Sequence, residues 1–171
     1  MIAQLKCDIR NLACYAAAAI VLSGCGSSPA KYSGAHRNVP RPYTVQSSEP
    51  TVAEQAVSIA VQQVGVPYRY GGQAPTGFDC SGLVHYSYLR AGKPVPRTTA
   101  QLWKNTETVS RSELMEGDLL FFSINGKMQH VGMYIGEDQF VHAPSSGRHV
   151  QVASLESDFY SDALLRGGRL R

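Results

Sequence analysis

The segment "HVGMYIGEDQFVHAP", residues 130–144, alternates apolar and small or polar positions through Ile135, breaks at Gly136–Glu137–Asp138, and resumes with an apolar run. That is the pattern of a β-hairpin. With those three residues as the loop, antiparallel pairing sets His142 opposite Gly132, on the face of His130 and diagonal to it. Val131, Met133, Ile135 and Val141 then share the opposite face. A two-residue loop would separate the histidines. The hairpin therefore predicts one core-facing side and one side that offers an imidazole pair.

Outward from the hairpin, "DLLFF" before it and "HVQVAS" after it are further short apolar runs, separated by "NGK" and "SSGR". Residues 118–154 read as an antiparallel meander, with a last strand near Leu164–Arg169. Upstream the period is helical. Thr51 and Glu54 make a capping box, and Val52, Ala56, Ile59, Ala60 and Val64 recur at helical spacing until Gly65 and Pro67. The loop "PYRYGGQAPTGFDC", residues 67–80, leads into a helix over Cys80–Ala91 that Gly92–Pro94 stop. A short helical turn near Thr98–Lys104 carries Trp103 as a packing residue. Helices first and strands second predict an α+β fold, with the helices on one side of an antiparallel sheet of about five or six strands. Residues 51–171 form one domain of this kind, and no internal repeat is visible.

The chain has 171 residues, 43% of them hydrophobic, and a formal net charge of +3. Its basic residues are scattered, which argues against nucleic acid as a partner. Residues 1–24 read as a secretory signal: Lys6 and Arg10 precede an apolar stretch, Leu12–Leu22, too short to span a bilayer. "LSGC", Leu22–Cys25, resembles the bacterial lipobox. The resemblance implies cleavage before Cys25, acylation of that residue, and a lipid anchor in place of a transmembrane helix. Gly26 in the following position implies the outer membrane, facing the periplasm. Residues 25–50 are rich in Ser, Pro, Gly and Arg, so they read as a tether spanning roughly 25 to 30 Å.

Of four cysteines, Cys7 and Cys14 leave with the signal and Cys25 takes the lipid. The mature chain keeps one thiol, Cys80, in an oxidising compartment where an unpaired thiol is either buried or used. At the first turn of a helix, the macrodipole and unpaired N–H groups favour the thiolate and can hold an oxyanion. Asp79 is placed to cap the same helix. A nucleophilic cysteine needs a base. His36 lies in the tether and His85 points away from the helix mouth as a surface residue, which leaves His130 as base and His142 as the residue that orients it.

"YRYGGQAPTGFDCSGLVHYSY", "PRTTAQ", "GDLLFF" and "HVGMYIGEDQFVHAPSSG" resemble, in order and over residues 51–171, the NlpC-type cell-wall peptidases, a papain-like family of cysteine enzymes. The resemblance implies Cys80 as nucleophile, His130 as general base and His142 as third member. It implies Tyr68 beside the oxyanion site, and Asp79, Ser81 and Arg97 along the substrate groove. The substrate implied is the peptidoglycan stem peptide, cut between D-γ-glutamate and a diamino acid, often meso-diaminopimelate, through a thioester. No cofactor or metal is expected, and a monomer is. A zinc hydrolase built on Cys80, His130, His142 or His149 lacks the usual ligand spacings. A non-catalytic envelope lipoprotein that scaffolds other wall enzymes is the main alternative.

Overall fold

The structure is a computed structural model and describes residues 49–171. The expected signal, Cys25 and nearly all of the expected tether lie outside the described residues.

Helix α1, Val52–Val61, starts at Thr51, whose hydroxyl accepts from the Glu54 N–H while Glu54 accepts from the Thr51 N–H. It stops earlier than the spacing predicts. From Gln63 the N–H groups turn to carbonyls three residues back, and the Gly65 N–H leaves the helix for the Val150 carbonyl. Two short strands follow, β1 (Gln73–Ala74) and β2 (Gly77–Phe78), then helix α2 (Cys80–Arg90) and helix α3 (Thr99–Lys104). Strand β3 (Thr106–Val109) precedes the meander β4 (Leu119–Ile124), β5 (Lys127–Gly136), β6 (Gln139–His142) and β7 (Gln151–Ser154). Helix α4 (Asp158–Ala163) and strand β8 (Leu164–Leu170) complete the described chain.

The main sheet has six strands in the order β3-β8-β4-β5-β6-β7, with every neighbouring pair antiparallel. The closing strand thus inserts between β3 and β4 rather than extending the meander. Along one face, Leu119, Phe121, Val131, Met133 and Val141 pack against Ala56 and Ala60 of α1, Leu83, Val84 and Tyr88 of α2, and Leu102 of α3. Burial of that apolar surface is the principal stabilising term. Trp103 does pack, edge-on to Phe121 at 5.2 Å with the Arg166 guanidinium 3.9 Å above its ring.

The other face departs from expectation. Leu120, Phe122, Phe140 and Leu155 form a second, smaller core, which Tyr160, Ala163 and Leu164 cover. Helix α4 therefore places apolar and aromatic cover on the face where only a histidine pair was expected. Ser157 caps α4 by accepting from the Tyr160 N–H.

Candidate active site

The β5–β6 hairpin sets the histidine pair by a route the loop count alone does not show. Its turn has two residues, Glu137 and Asp138, both with φ of +51°, between paired Gly136 and Gln139. Positive φ at both centres suits a tight hairpin. A bulge between Tyr134 and Gly136 then absorbs one residue, so Tyr134 faces Phe140 and Met133 faces Val141. The register beyond the bulge is the one a three-residue loop would give. His130 and His142 lie diagonal on one face, Nε2 of the first 2.8 Å from Nδ1 of the second.

Both rings are buried, His130 at 7% and His142 at 0% exposure. Burial pushes His130 down to about 4 and His142 down to about 3, the latter helped by His130 and by the charge of Arg148. Both imidazoles are neutral at pH 7. The far side of His142 meets α4 and β7: Nε2 lies 3.3 Å from the Tyr160 hydroxyl and 3.5 Å from Nε2 of Gln151. Sequence reasoning missed Tyr160 and Gln151, because both sit on elements whose packing is set only by the tertiary fold.

Cys80 is the first residue of α2. Its Sγ lies 3.7 Å from the Gln129 carbonyl and 3.8 Å from the Thr99 hydroxyl, and the Val131 and Ser81 N–H groups bear on it. The thiol thus rests against the backbone on either side of His130. Its acidity differs from expectation. Burial pushes the Cys80 thiol above the ordinary range, Asp79 adds to that, and Thr99 with the two N–H groups only partly offset it. Desolvation outweighs these hydrogen bonds, which holds the thiol toward its neutral form.

The start of α2 is held by a polar cluster. One Asp79 oxygen caps the helix through the Gly82 N–H at 2.7 Å, and the other accepts from the Gly71 N–H at 2.9 Å. Arg97 grips the same carboxylate with both terminal nitrogens, at 2.9 and 2.8 Å, and also donates to the Ser81 hydroxyl and the Gly72 carbonyl. Asp79, Ser81 and Arg97 therefore meet in one network whose bonds run to each other and to the loop before the helix. Gly82 allows that loop to come close, since a Cβ there would sit 1.9 Å from the Gly72 oxygen.

Tyr68 lies beside this junction, half-buried, bridged in parallel to Phe78. Burial raises its hydroxyl above the ordinary range, with Asp79 adding to the effect, and keeps it protonated. His85 is not at the surface: half-buried, its Nδ1 is 2.7 Å from the Val95 carbonyl and ties α2 to the next loop. His149 is exposed, in a bridge to Pro67.

Known proteins share this arrangement of chain. The murein DD-endopeptidase MepH of Escherichia coli is 42% identical over 111 residues, covering 61% of this chain and 41% of that protein. The gamma-D-glutamyl-L-lysine dipeptidyl-peptidase of Bacillus cereus is 34% identical over 122 residues, 69% of this chain and 37% of its own length. The chain thus spans less than half of either. The crystal structure of the NlpC/p60 domain of the peptidoglycan hydrolase SagA superposes with a TM-score of 0.61 at 33% identity, covering 69% of this chain and 98% of that one. A sequence model of the NlpC/P60 family matches residues 65–169, from the turn after α1 to the end of the sheet. That match takes in the cysteine-bearing helix, the histidine hairpin and the strands between them, and the chain belongs to the NlpC/P60 family.

Proposed function

We propose that this protein is a peptidoglycan hydrolase, a cysteine peptidase that opens a stem-peptide bond through a thioester. The observation that carries the reading is Cys80 at the mouth of α2, its sulfur against the backbone flanking His130, with His130 bonded at 2.8 Å to His142.

The chemistry starts from a neutral thiol and a neutral imidazole. His130 takes the Cys80 proton as sulfur attacks the carbonyl carbon, a general-base step that needs no preformed ion pair. The Cys80 N–H, at the first helical position, has no acceptor within the helix. Together with the Tyr68 hydroxyl it holds the oxyanion. His130 then passes the proton to the departing amine as the C–N bond breaks. Water adds to the thioester, gives up a proton to His130, and releases the acid and the thiol. For Nδ1 of His130 to act as base, its Nε2–H donates to Nδ1 of His142. His142 in turn donates from Nε2 to the Tyr160 hydroxyl. Asp79, Ser81 and Arg97 hold the helix mouth beside Cys80 through bonds to one another and to the preceding loop.

The bond proposed is the one between D-γ-glutamate and a diamino acid, which the name of the Bacillus cereus relative supports. A second reading, a bond between two D-centres in a cross-link, is favoured by the 42% identity to a murein DD-endopeptidase. The anchor at Cys25 and the tether would hold the domain to the outer membrane while it works on the wall, as a monomer.

Mass spectrometry of products released from isolated sacculi tests this, with Cys80→Ala and His130→Ala in parallel. Fragments that end at D-γ-glutamate support the first bond, and opened cross-links with intact stems support the second. Either product must vanish in both variants. No product from sacculi or from synthetic stems would leave a scaffolding role.

A further inference from the structure

A cleft of about 420 Å³ opens beside His130, walled by Ile124, Pro144, Phe159 and Tyr160, with Arg148 on its rim. That volume suits a ligand the size of an amino-acid side chain with its backbone. Its place relative to the chemistry follows from the proton path. The amine that leaves takes its proton from His130, so the residue carrying that amine lies against His130. On the hydrolase reading, a cleft with His130 in its wall is the candidate place for that residue.

Arg148 is the cation of this cleft. The ion pairs among the described residues use Arg97, Arg111, Arg169 and Arg171, not Arg148. Its backbone is fixed nonetheless: its N–H donates to the Ser145 carbonyl at 3.1 Å and its carbonyl accepts from the Tyr68 N–H at 2.8 Å. The turn that presents it is thus fastened to the segment carrying Tyr68. Its charge is felt inside the wall, at His142 and Tyr160. A guanidinium on a fixed turn, beside a cleft that mixes apolar side chains (Ile124, Pro144, Phe159) with polar ones (Ser145, Gln151), matches the free carboxylate of a residue that also carries methylenes.

We propose that this cleft holds the amine-bearing residue of the substrate and that Arg148 binds a free carboxylate on it, so that the protein selects diaminopimelate-type stems over lysine-type stems. This rests on the hydrolase reading above. It holds for either bond, since diaminopimelate brings a carboxylate at its D-centre that lysine lacks. That group sits at the far end of the side chain in the γ-glutamyl cut and beside the amine in the cross-link cut.

The test uses stem peptides, and their cross-linked dimers, that differ only there: diaminopimelate, its D-centre amide, and lysine. The wild type should favour the free carboxylate by about tenfold or more in kcat/KM, the scale of one charge-assisted contact. Arg148→Ala should bring that ratio close to one, chiefly through KM, and Arg148→Lys should restore part of it. An equal ratio in the wild type and Arg148→Ala overturns the proposal. Should the wild type cut none of the peptides, the hydrolase reading fails, and calorimetry on Cys80→Ala still decides the cleft. Preferential binding of the diaminopimelyl peptide, abolished by adding Arg148→Ala, supports it; equal binding of the three peptides sinks it.

Discussion

At Cys80 two influences oppose each other: hydrogen bonds from Thr99 and from the Val131 and Ser81 N–H groups favour the thiolate, while burial penalises it, and burial is the larger. The rate of iodoacetamide reaction at Cys80 should therefore keep climbing through pH 8. A plateau already reached at pH 6 to 7 would mean a thiolate at rest and would rule out the neutral-thiol start. On the same chain of contacts, Tyr160→Phe removes only the hydroxyl that meets His142 Nε2 at 3.3 Å. The loss of one hydrogen bond should lower kcat about three- to tenfold with KM little changed. His130→Ala should cost about 10²- to 10⁴-fold, the scale of general-base catalysis. If Tyr160→Phe matches the wild type in kcat and in its pH profile, Tyr160 does not hold the tautomer of His142.

Among the elements, the helices and strands with a strong local period were legible. The Thr51–Glu54 box marked α1, the Gly92–Pro94 stop closed α2, and the turn residues spaced the meander. Strand β3, "TETV", was not legible, since it buries Thr106 and Val109 but exposes the two residues between, which is no period of two. Helix α4, "DFYSDA", is too short and polar to show a helical stripe, and its cover for the second core comes only from folding. The candidate catalytic residues and their pairing were legible from composition and register, but the bulge that sets that register and the burial that raises Cys80 depend on three dimensions. The junction before α2 carries its own prediction. Arg97 holds both oxygens of Asp79 from a side chain 27% exposed. Lysine cannot reproduce that fork, so Arg97→Lys should lower stability by about 1–3 kcal/mol and reduce kcat through a displaced Cys80. A rise in KM alone, with melting temperature and kcat unchanged, would instead mean that Arg97 touches substrate and does not position the helix.

For the whole domain, the sheet's two-sided burial makes folding itself sensitive to acid. His130 and His142 are held near 4 and 3 in the folded chain, against an ordinary value of about 6.5 once unfolded. Between those values the unfolded chain binds protons that the folded one refuses, so protonation favours unfolding. The sign is fixed: the stability is fully present above about pH 6.5 and drains as pH falls toward 4, by up to about 1.4 kcal/mol per pH unit for each histidine. Thermal melts at pH 7, 6 and 5 should therefore show a falling midpoint. Replacing His142 with Gln removes one of the two proton sites, so that variant should show a shallower fall, even though its midpoint at pH 7 is lower from the lost pairing with His130. A midpoint that stays level from pH 7 to 5 would mean that the imidazoles are not buried as neutral rings. An equal slope in both proteins would place the acid sensitivity elsewhere in the domain.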